Sequence, residues 1–411
     1  MAPAAQRRDL MRLRTGNDAH LTYCTNIHPG ESWEEVRAAL GAHVPEVKKK
    51  ICPDEPFGVG LRLSGLAISQ LSNPVARAEL RELLEQNNLY VFTVNGFPHG
   101  NFHNTPVKEQ VYRPDWSEEE RLVYTDGIAD LLSHITPEDA DYSPSISTVP
   151  VGFRPRMNTN EAQENAANRI LRQAVRLDSI RRQSGKTITL ALEPEQHCAL
   201  ETSSEAVAFF EDFLFSGSAL SAIPELRDRP ADAERIVRRH VGLCLDTCHA
   251  AVEFEQPRES LARIERAGIT IFKVQLTTGL RVERLDSETL KELEGFVDEV
   301  YLHQVVERDG DRLNRYLDLG PALTEARQRK PTAAEWRVHF HVPVFLDRLG
   351  CFTNTQKQLT EYIDAWNAKP FTQHLEVETY TWEVLPPEYR DRPVAKAIAG
   401  EIEWVREHLR G

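Results

Sequence analysis

Three short runs of this sequence end in carboxylates that could share a cation, and two further runs offer imidazoles to complete it. Thr187-Ile188-Thr189-Leu190-Ala191-Leu192-Glu193 alternates, with Ile188, Leu190 and Leu192 on one face and Thr189, Ala191 and Glu193 on the other. Val241-Gly242-Leu243-Cys244-Leu245-Asp246 repeats the pattern and leaves Gly242, Cys244 and Asp246 together. His374-Leu375-Glu376-Val377-Glu378 turns both glutamates away from Leu375 and Val377. Three carboxylates in phase on buried strands repel one another and need a metal or bases between them. Asp246-Thr247-Cys248-His249 brings a histidine over the same strand end, and Val338-His339-Phe340-His341-Val342 sets two imidazoles on one strand face. His341, nearer the end of its strand, is the preferred ligand, with His249 and His339 as further candidates. Such oxygen and nitrogen donors suit Mn, Mg, Zn, Co or Fe(II) better than Cu(I).

The same parity turns Lys273 and Gln275 inward on the run Ile271 to Leu276, and Arg62 inward on Phe57 to Leu63, with Asn26 and Asn95 at the ends of their strands. Lys273 and Arg62 could stabilise an enediolate or grip a phosphate, or could simply neutralise the interior carboxylates. The loop Asn95-Gly96-Phe97-Pro98-His99-Gly100-Asn101-Phe102-His103 would overhang the mouth of the site, and aromatic rings beside polar tips suit a sugar or cyclitol face. Arg62, Asn95, His99, His103 and Trp382 are therefore the substrate-binding candidates. Glu193, Glu378 and Lys273 are the catalytic ones.

These groups need a frame that delivers many strand ends to one place. Eight candidate strands supply it: Leu21 to Ile27, Phe57 to Leu63, Leu89 to Val94, Ser145 to Val149, Thr187 to Leu192, Val241 to Leu245, Ile269 to Leu276 and Leu375 to Thr381. Amphipathic helical stretches alternate with them, at Ser32 to His43, Val75 to Asn87, Ser117 to Ser133, Asn160 to Gly185, Ser204 to Phe215, Arg258 to Ala267 and Thr355 to Asn367. Ser32-Trp33-Glu34-Glu35 and Ser117-Glu118-Glu119-Glu120 carry the cap-then-glutamate signature of a helix start. The alternation predicts an α/β fold, a (β/α)8 TIM barrel, in which chemistry sits at the carboxyl ends of the strands. The spacing breaks at 216–239 and again at 279–349, where a helical run, a hairpin turning at Asp309-Gly310 and an extra strand, Trp336 to Phe345, form an insertion before the last barrel strand. Residues 1–20 read as a frayed tail, 21–411 as one barrel domain, and Pro393 to Arg410 as a closing helix.

Composition sets the class. The chain has 411 residues, 41% hydrophobic and 27% charged, with 49 basic against 63 acidic residues and a net charge of -14. That balance repels polyphosphate, so nucleic acid is a poor partner. No apolar run of membrane-spanning length occurs, which argues against membrane insertion. The six cysteines are scattered, as expected of a reducing cytoplasm.

The runs LALEPE (190–195), GLCLDTCHA (242–250), VHFHVP (338–343) and HLEVETYTW (374–382) resemble the sugar-phosphate isomerase/epimerase superfamily of xylose isomerase-like TIM barrels. Together with LTYCTNIHPGESW, NGFPHGNFH and EVETYTWEVLP, they are similar over nearly the whole chain to the EboE-type metabolite traffic proteins. The resemblance implies a divalent metal held by a Glu after the fifth strand, an Asp after the sixth, a His after the seventh and a Glu after the eighth. Carried over, these are Glu193, Asp246, a histidine and Glu378. The seventh strand offers Gln275 where the histidine is expected, so Gln275, His303 or His341 would fill that place.

The implied activity is a metal-dependent isomerase or epimerase acting on a small polyhydroxylated compound (sugar, sugar phosphate or cyclitol), with Glu193 and Glu378 moving a carbon-bound proton. Two alternatives stand beside it. One is a multi-metal hydrolase of a small phosphodiester drawing on His28, His99, His103, His249, His339 and His341. The other is a metabolite-binding or carrier protein on a barrel that has lost catalysis. The expected partners are a small polyol or sugar-like molecule and a second copy of the chain, with members of a metabolite-export pathway as further partners the resemblance allows.

Overall fold

The structure is a computed structural model that describes residues 12–13, 19–103, 106–329, 334–383, 385 and 393–409. Most of the expected N-terminal tail lies outside these residues. Arg12–Leu13 forms a short strand that pairs antiparallel with Ala19 and His20.

Eight parallel strands carry the interior: β1 (Ala19–Tyr23), β2 (Phe57–Arg62), β3 (Leu89–Asn95), β4 (Ser145–Thr148), β5 (Thr189–Leu192), β6 (Val241–Asp246), β7 (Ile271–Leu276) and β8 (His374–Val377). They neighbour one another in the order β1-β8-β7-β6-β5-β4-β3-β2. The ring closes where Cys24 pairs in parallel with Gly60 and the Thr22 hydroxyl donates to the Gly58 carbonyl at 2.7 Å. The fold is the (β/α)8 TIM barrel that the alternation predicts. Helices cover its outside, and the apolar face of each strand meets them in one continuous core.

Local chemistry explains where helices start. Ser32 accepts from the Glu35 amide while Glu35 reaches back to Ser32, and this capping box opens the helix Trp33–Ile51. The second predicted box does not form. Asp115 takes both the amide and the hydroxyl of Ser117, at 2.9 and 2.5 Å, so the helix begins later, at Glu119–Ile135, without a side-chain cap. The 216–239 break contains three short helices, Gly217–Ala222, Pro224–Arg227 and Ala233–His240. The density of arginine there has a structural use: Arg229 and Arg239, with Arg181 and Arg182 from the helix Asn160–Ser184, surround the buried Asp178.

Between β7 and β8 lies a six-stranded antiparallel sheet, in the order Arg312–Tyr316, Val305–Asp309, Glu335–Val342, Thr278–Val282, Phe352–Asn354, Arg348–Leu349. The hairpin turns at Gly310, whose φ of +59° favours glycine. Its strands are Val305–Asp309 and Arg312–Tyr316, both shifted toward the turn from the Tyr301 to Glu307 and Arg315 to Leu319 that the sequence suggests, and paired across a two-residue turn. The strand Glu335–Val342 shifts register between Val338 and His341 against Thr278–Val282, a bulge that re-aims its side chains over the barrel mouth.

Candidate metal centre

Two polar layers are stacked inside the barrel. In the lower one, Lys273 Nζ lies 2.6 Å from Glu376 Oε2 and 3.3 Å from Ser147 Oγ, and neither charged side chain is exposed. Burial opposes the ammonium charge, but Glu376 outweighs it and holds the Lys273 pKa above its usual value. Gly60 makes room for this pair, since a Cβ there would collide with the Glu376 carboxylate and the Tyr23 carbonyl.

The upper layer sits at the carboxyl ends of the strands. Glu193, Asp246 and Glu378 present oxygens within 4.8 Å of one another, all buried. Asp246 caps the helix Thr247–Val252: its Oδ1 accepts from the amides of Cys248 (2.7 Å) and His249 (3.0 Å) and from the Thr277 hydroxyl (2.6 Å). That fixes Oδ2, which has no hydrogen-bond partner, facing His249 and His341 at 4.0 Å from each Nε2. Glu378 is held differently. Its Oε1 accepts from Asn26 and Asn95 at 2.7 Å each, and its Oε2 from Gln275 at 2.8 Å. Glu193 Oε2 is buried without a partner. Burial, then Glu378 and Asp246, raise the Glu193 pKa well above the usual carboxylate range. Burial, then Glu376 and Asp246, push Glu378 up to about 8. An anionic cluster of this kind is costly unless a cation joins it.

The imidazoles supply the second half of the donor set. His249 Nε2 lies 3.1 Å from His339 Nε2, which lies 3.2 Å from His341 Nε2. The opposite nitrogens settle the tautomers. His249 Nδ1 donates to the Pro194 carbonyl (3.0 Å) and His341 Nδ1 to the Glu378 carbonyl (2.7 Å). His339 Nδ1 donates to Gln304 Oε1 (2.9 Å), because the Gln304 amide nitrogen is spent on Tyr112 and Glu195. Each Nε2 therefore turns a lone pair toward the others. Burial drives His341 down to about 4 and, with His249 and His341 beside it, His339 well below its usual value, so neither relieves the contact by protonating near neutral pH. Ligands of a tetrahedral zinc, with bonds of about 2.0–2.1 Å, sit about 3.3 Å apart, close to the spacings here. The donor set fits a divalent cation, and the outer hydrogen bonds are those that orient metal-binding histidines.

Above the site lies a cleft of about 550 Å³, counted out to solvent. Phe97, Phe102, Tyr112, Tyr301 and Tyr380 form its walls, and Asn26, Asn95, Glu193, Glu195, Glu378 and the three histidines its polar end.

Several predicted residues lie elsewhere. Lys273 is sealed in the lower layer. The Arg62 guanidinium binds Glu31 (2.8 Å) and the carbonyls of Gly30 (3.1 Å) and Gly100 (2.7 Å), so it ties loops together behind Phe102 instead of facing a substrate. Asn95 does reach the cleft but spends its amide on Glu378. His99 packs edge-on against Tyr124 and His103 against Phe102, and Trp382 rests on Phe345; none of them lines the cleft. Gln275 touches the site only through Glu378 and Cys244. His303 stands behind His339, its Nδ1 donating to the His339 carbonyl at 3.1 Å. His28 bonds Tyr23 and stacks on His43.

Sequence reasoning missed Glu195, whose Oε1 accepts from the Tyr112 hydroxyl (2.9 Å) and Gln304 (3.0 Å). Carrying the strand parity two residues past Glu193 would have found it. Gln304 and Tyr112 carry no such signal, because their partners are distant in the chain.

No protein-family model and no curated protein sequence matches the chain. Among solved structures it is similar to the probable 3-DHS dehydratase AsbF of Bacillus anthracis, at 11% identity over 93% of this chain and 97% of that one, with a TM-score of 0.42. The IolI protein with a bound zinc atom gives 13%, 94%, 95% and 0.43. The 3-keto-D-glucoside 4-epimerase YcjR of E. coli gives 13%, 94%, 98% and 0.41. All three scores lie below 0.5, and the barrel assignment rests on the strand order.

Proposed function

We propose that the chain is a metal-dependent isomerase or epimerase of a small polyhydroxylated metabolite, a sugar, sugar phosphate or cyclitol. The observation that carries this reading is the convergence of three imidazole Nε2 atoms with the unpartnered Asp246 Oδ2 and Glu193 Oε2 at the floor of an aromatic-walled cleft. Asp246, His341, His249 and His339 would hold the ion, with Glu193 and Glu378 beside it. Three nitrogens in the set favour Zn, Co, Fe(II) or Mn over Mg. When bound, the ion supplies Lewis-acid polarisation of substrate oxygens.

The remaining chemistry belongs to the side chains. Three amide donors keep Glu378 fixed and its lone pairs engaged, which suits a static anion better than a mobile base. Glu193 Oε2, buried and without a donor, is placed to accept a carbon-bound proton and return it. One base that carries the carbon-bound proton from C2 to C1 accomplishes an aldose–ketose isomerisation, provided the hydroxyl proton passes from O2 to O1 in the same turnover. An epimerisation by two opposed bases would need Glu378 released from its amides. The phosphodiesterase alternative loses support because His28, His99 and His103 stand apart from the centre. The EboE-type reading rests on the sequence strings alone. The free cysteines support a cytoplasmic home, and among the described residues no helix is long and apolar enough to cross a membrane.

Protein purified without added ions should contain a transition metal by elemental analysis. With that metal it should exchange a carbon-bound proton of a sugar or cyclitol for deuterium, and Glu193→Gln should slow exchange by about 10²–10⁴-fold. Metal-free protein that neither takes up metal nor catalyses exchange would refute the proposal.

A further inference from the structure

The polar end of the cleft is rich in acceptors and poor in donors. Asn26 Oδ1, Glu193 Oε2 and Asp246 Oδ2 are buried without partners, and the Asn26 amide nitrogen is fixed on Glu378, so the carbonyl side stays free. A bound cation would engage the carboxylates and imidazoles and leave Asn26 Oδ1 still unmet. Glu195 adds a fourth carboxyl group to Glu193, Asp246 and Glu378, two more than the charges of one divalent ion.

The nearby cations are held by other partners, although Arg62 Nε itself has no hydrogen bond. Lys108, the one basic side chain of the described cleft wall, directs Nζ to the carbonyls of Asp298 (2.6 Å) and Tyr301 (2.7 Å) and to Asp318 Oδ2 (2.7 Å). Arg62 Nη1 and Nη2 are bound to Glu31 and two loop carbonyls, and Lys273 is paired with Glu376 below. A phosphate ester would bring a net negative charge and further acceptors to a polar end made of carboxylates and imidazoles, beside a Lys108 ammonium already held by three oxygens. Such a ligand is repelled and leaves buried acceptors unpaired, both costly in a water-poor site. Hydroxyl groups bring the missing donors, and the carbon framework of a ring suits the walls of Phe97, Phe102 and Tyr380.

We infer that the cleft takes an uncharged polyol with free hydroxyls and discriminates against its phosphate esters. The inference rests on the proposed isomerase or epimerase reading and narrows its substrate class.

The test uses metal-loaded full-length protein of measured metal content. Saturation-transfer NMR and calorimetry are run with D-fructose and myo-inositol as probes, each beside its monophosphate. Free polyols should bind at least about tenfold tighter than the esters. Equal or tighter binding of either ester, or no binding of either free polyol, overturns the inference. Val111→Arg places a guanidinium in the cleft wall and should tighten ester binding about tenfold with metal content unchanged. An ester affinity that does not move in a folded Val111→Arg protein also overturns it. Failure of the proposed function shows separately, as absent metal or absent deuterium exchange, whereas failure of this inference shows as a preference for phosphate.

Discussion

Glu376 and Glu378 lie two residues apart at the end of the same strand and face the same barrel interior, yet their surroundings differ in kind. Glu376 meets an ammonium at 2.6 Å in a layer closed to solvent. Glu378 meets three neutral amides and two more carboxylates in a layer that opens to a cleft. The lower layer is balanced by the chain itself. The upper layer carries an excess of anions and inward-facing lone pairs that only something outside the chain can balance. A site of stored electrostatic cost above a charge-paired foundation is the arrangement expected where function and stability compete.

The sharpest way to break this comparison is to unbalance the lower layer. Glu376→Gln leaves the Lys273 ammonium buried without its counter-charge and should cost about 3–5 kcal/mol in urea unfolding, while Lys273→Met with Glu376→Leu should recover most of that loss. A cost below about 1 kcal/mol for the single change would show that the pair is not the foundation described. Next in size is the effect of the cation on the upper layer. Zinc or manganese at about 100 times its Kd should stabilise the metal-free protein by about 2.7 kcal/mol, and His339→Ala should remove most of that gain. Equal stabilisation of wild type and variant would place the ion elsewhere.

Smaller effects sharpen the contrast. In metal-free protein, Glu193→Gln removes one of the repelling carboxylates and should raise stability by about 0.5–2 kcal/mol, even though the same change slows exchange in the metal-loaded protein. A loss of stability would mean that Glu193 is structurally satisfied. Glu401 serves as a control outside both layers. Burial pushes it up to about 7, despite the Thr379 hydroxyl at 2.6 Å and the Val344 amide at 3.1 Å. A carboxyl whose folded pKa lies above its unfolded value of about 4.3 contributes stability fully below that value and loses it as pH rises through 7. Glu401→Gln should flatten this part of the stability profile between about pH 4.5 and 7, and an unchanged slope would show that Glu401 does not titrate there.

The barrel strands were legible because alternation and apolar content are local properties, and the same phase brought Glu193, Asp246 and Glu378 to one end. The short helices of 217–240 were not, since Gly217–Ala222, Pro224–Arg227 and Ala233–His240 are each too short for an apolar stripe to repeat along them. Ser117 looked like a cap, but Asp115 two residues earlier competes for its hydroxyl. The insertion was legible as an interruption and a hairpin, but not as one sheet with Thr278–Val282 and Phe352–Asn354, because antiparallel pairing across tens of residues leaves little mark in the pattern.

By itself the sequence determined which side chains face the barrel axis, since a strand's parity is set by its own backbone. Only the tertiary structure decided what each of them meets there. Lys273 and Arg62 point inward as their phase requires, yet partners from distant segments claim their charges. His339 and His341 join His249 only because an inserted sheet with a bulge folds back over the mouth. Direction is fixed by neighbouring bonds, whereas electrostatic environment is the sum over everything that folding brings within a few ångströms.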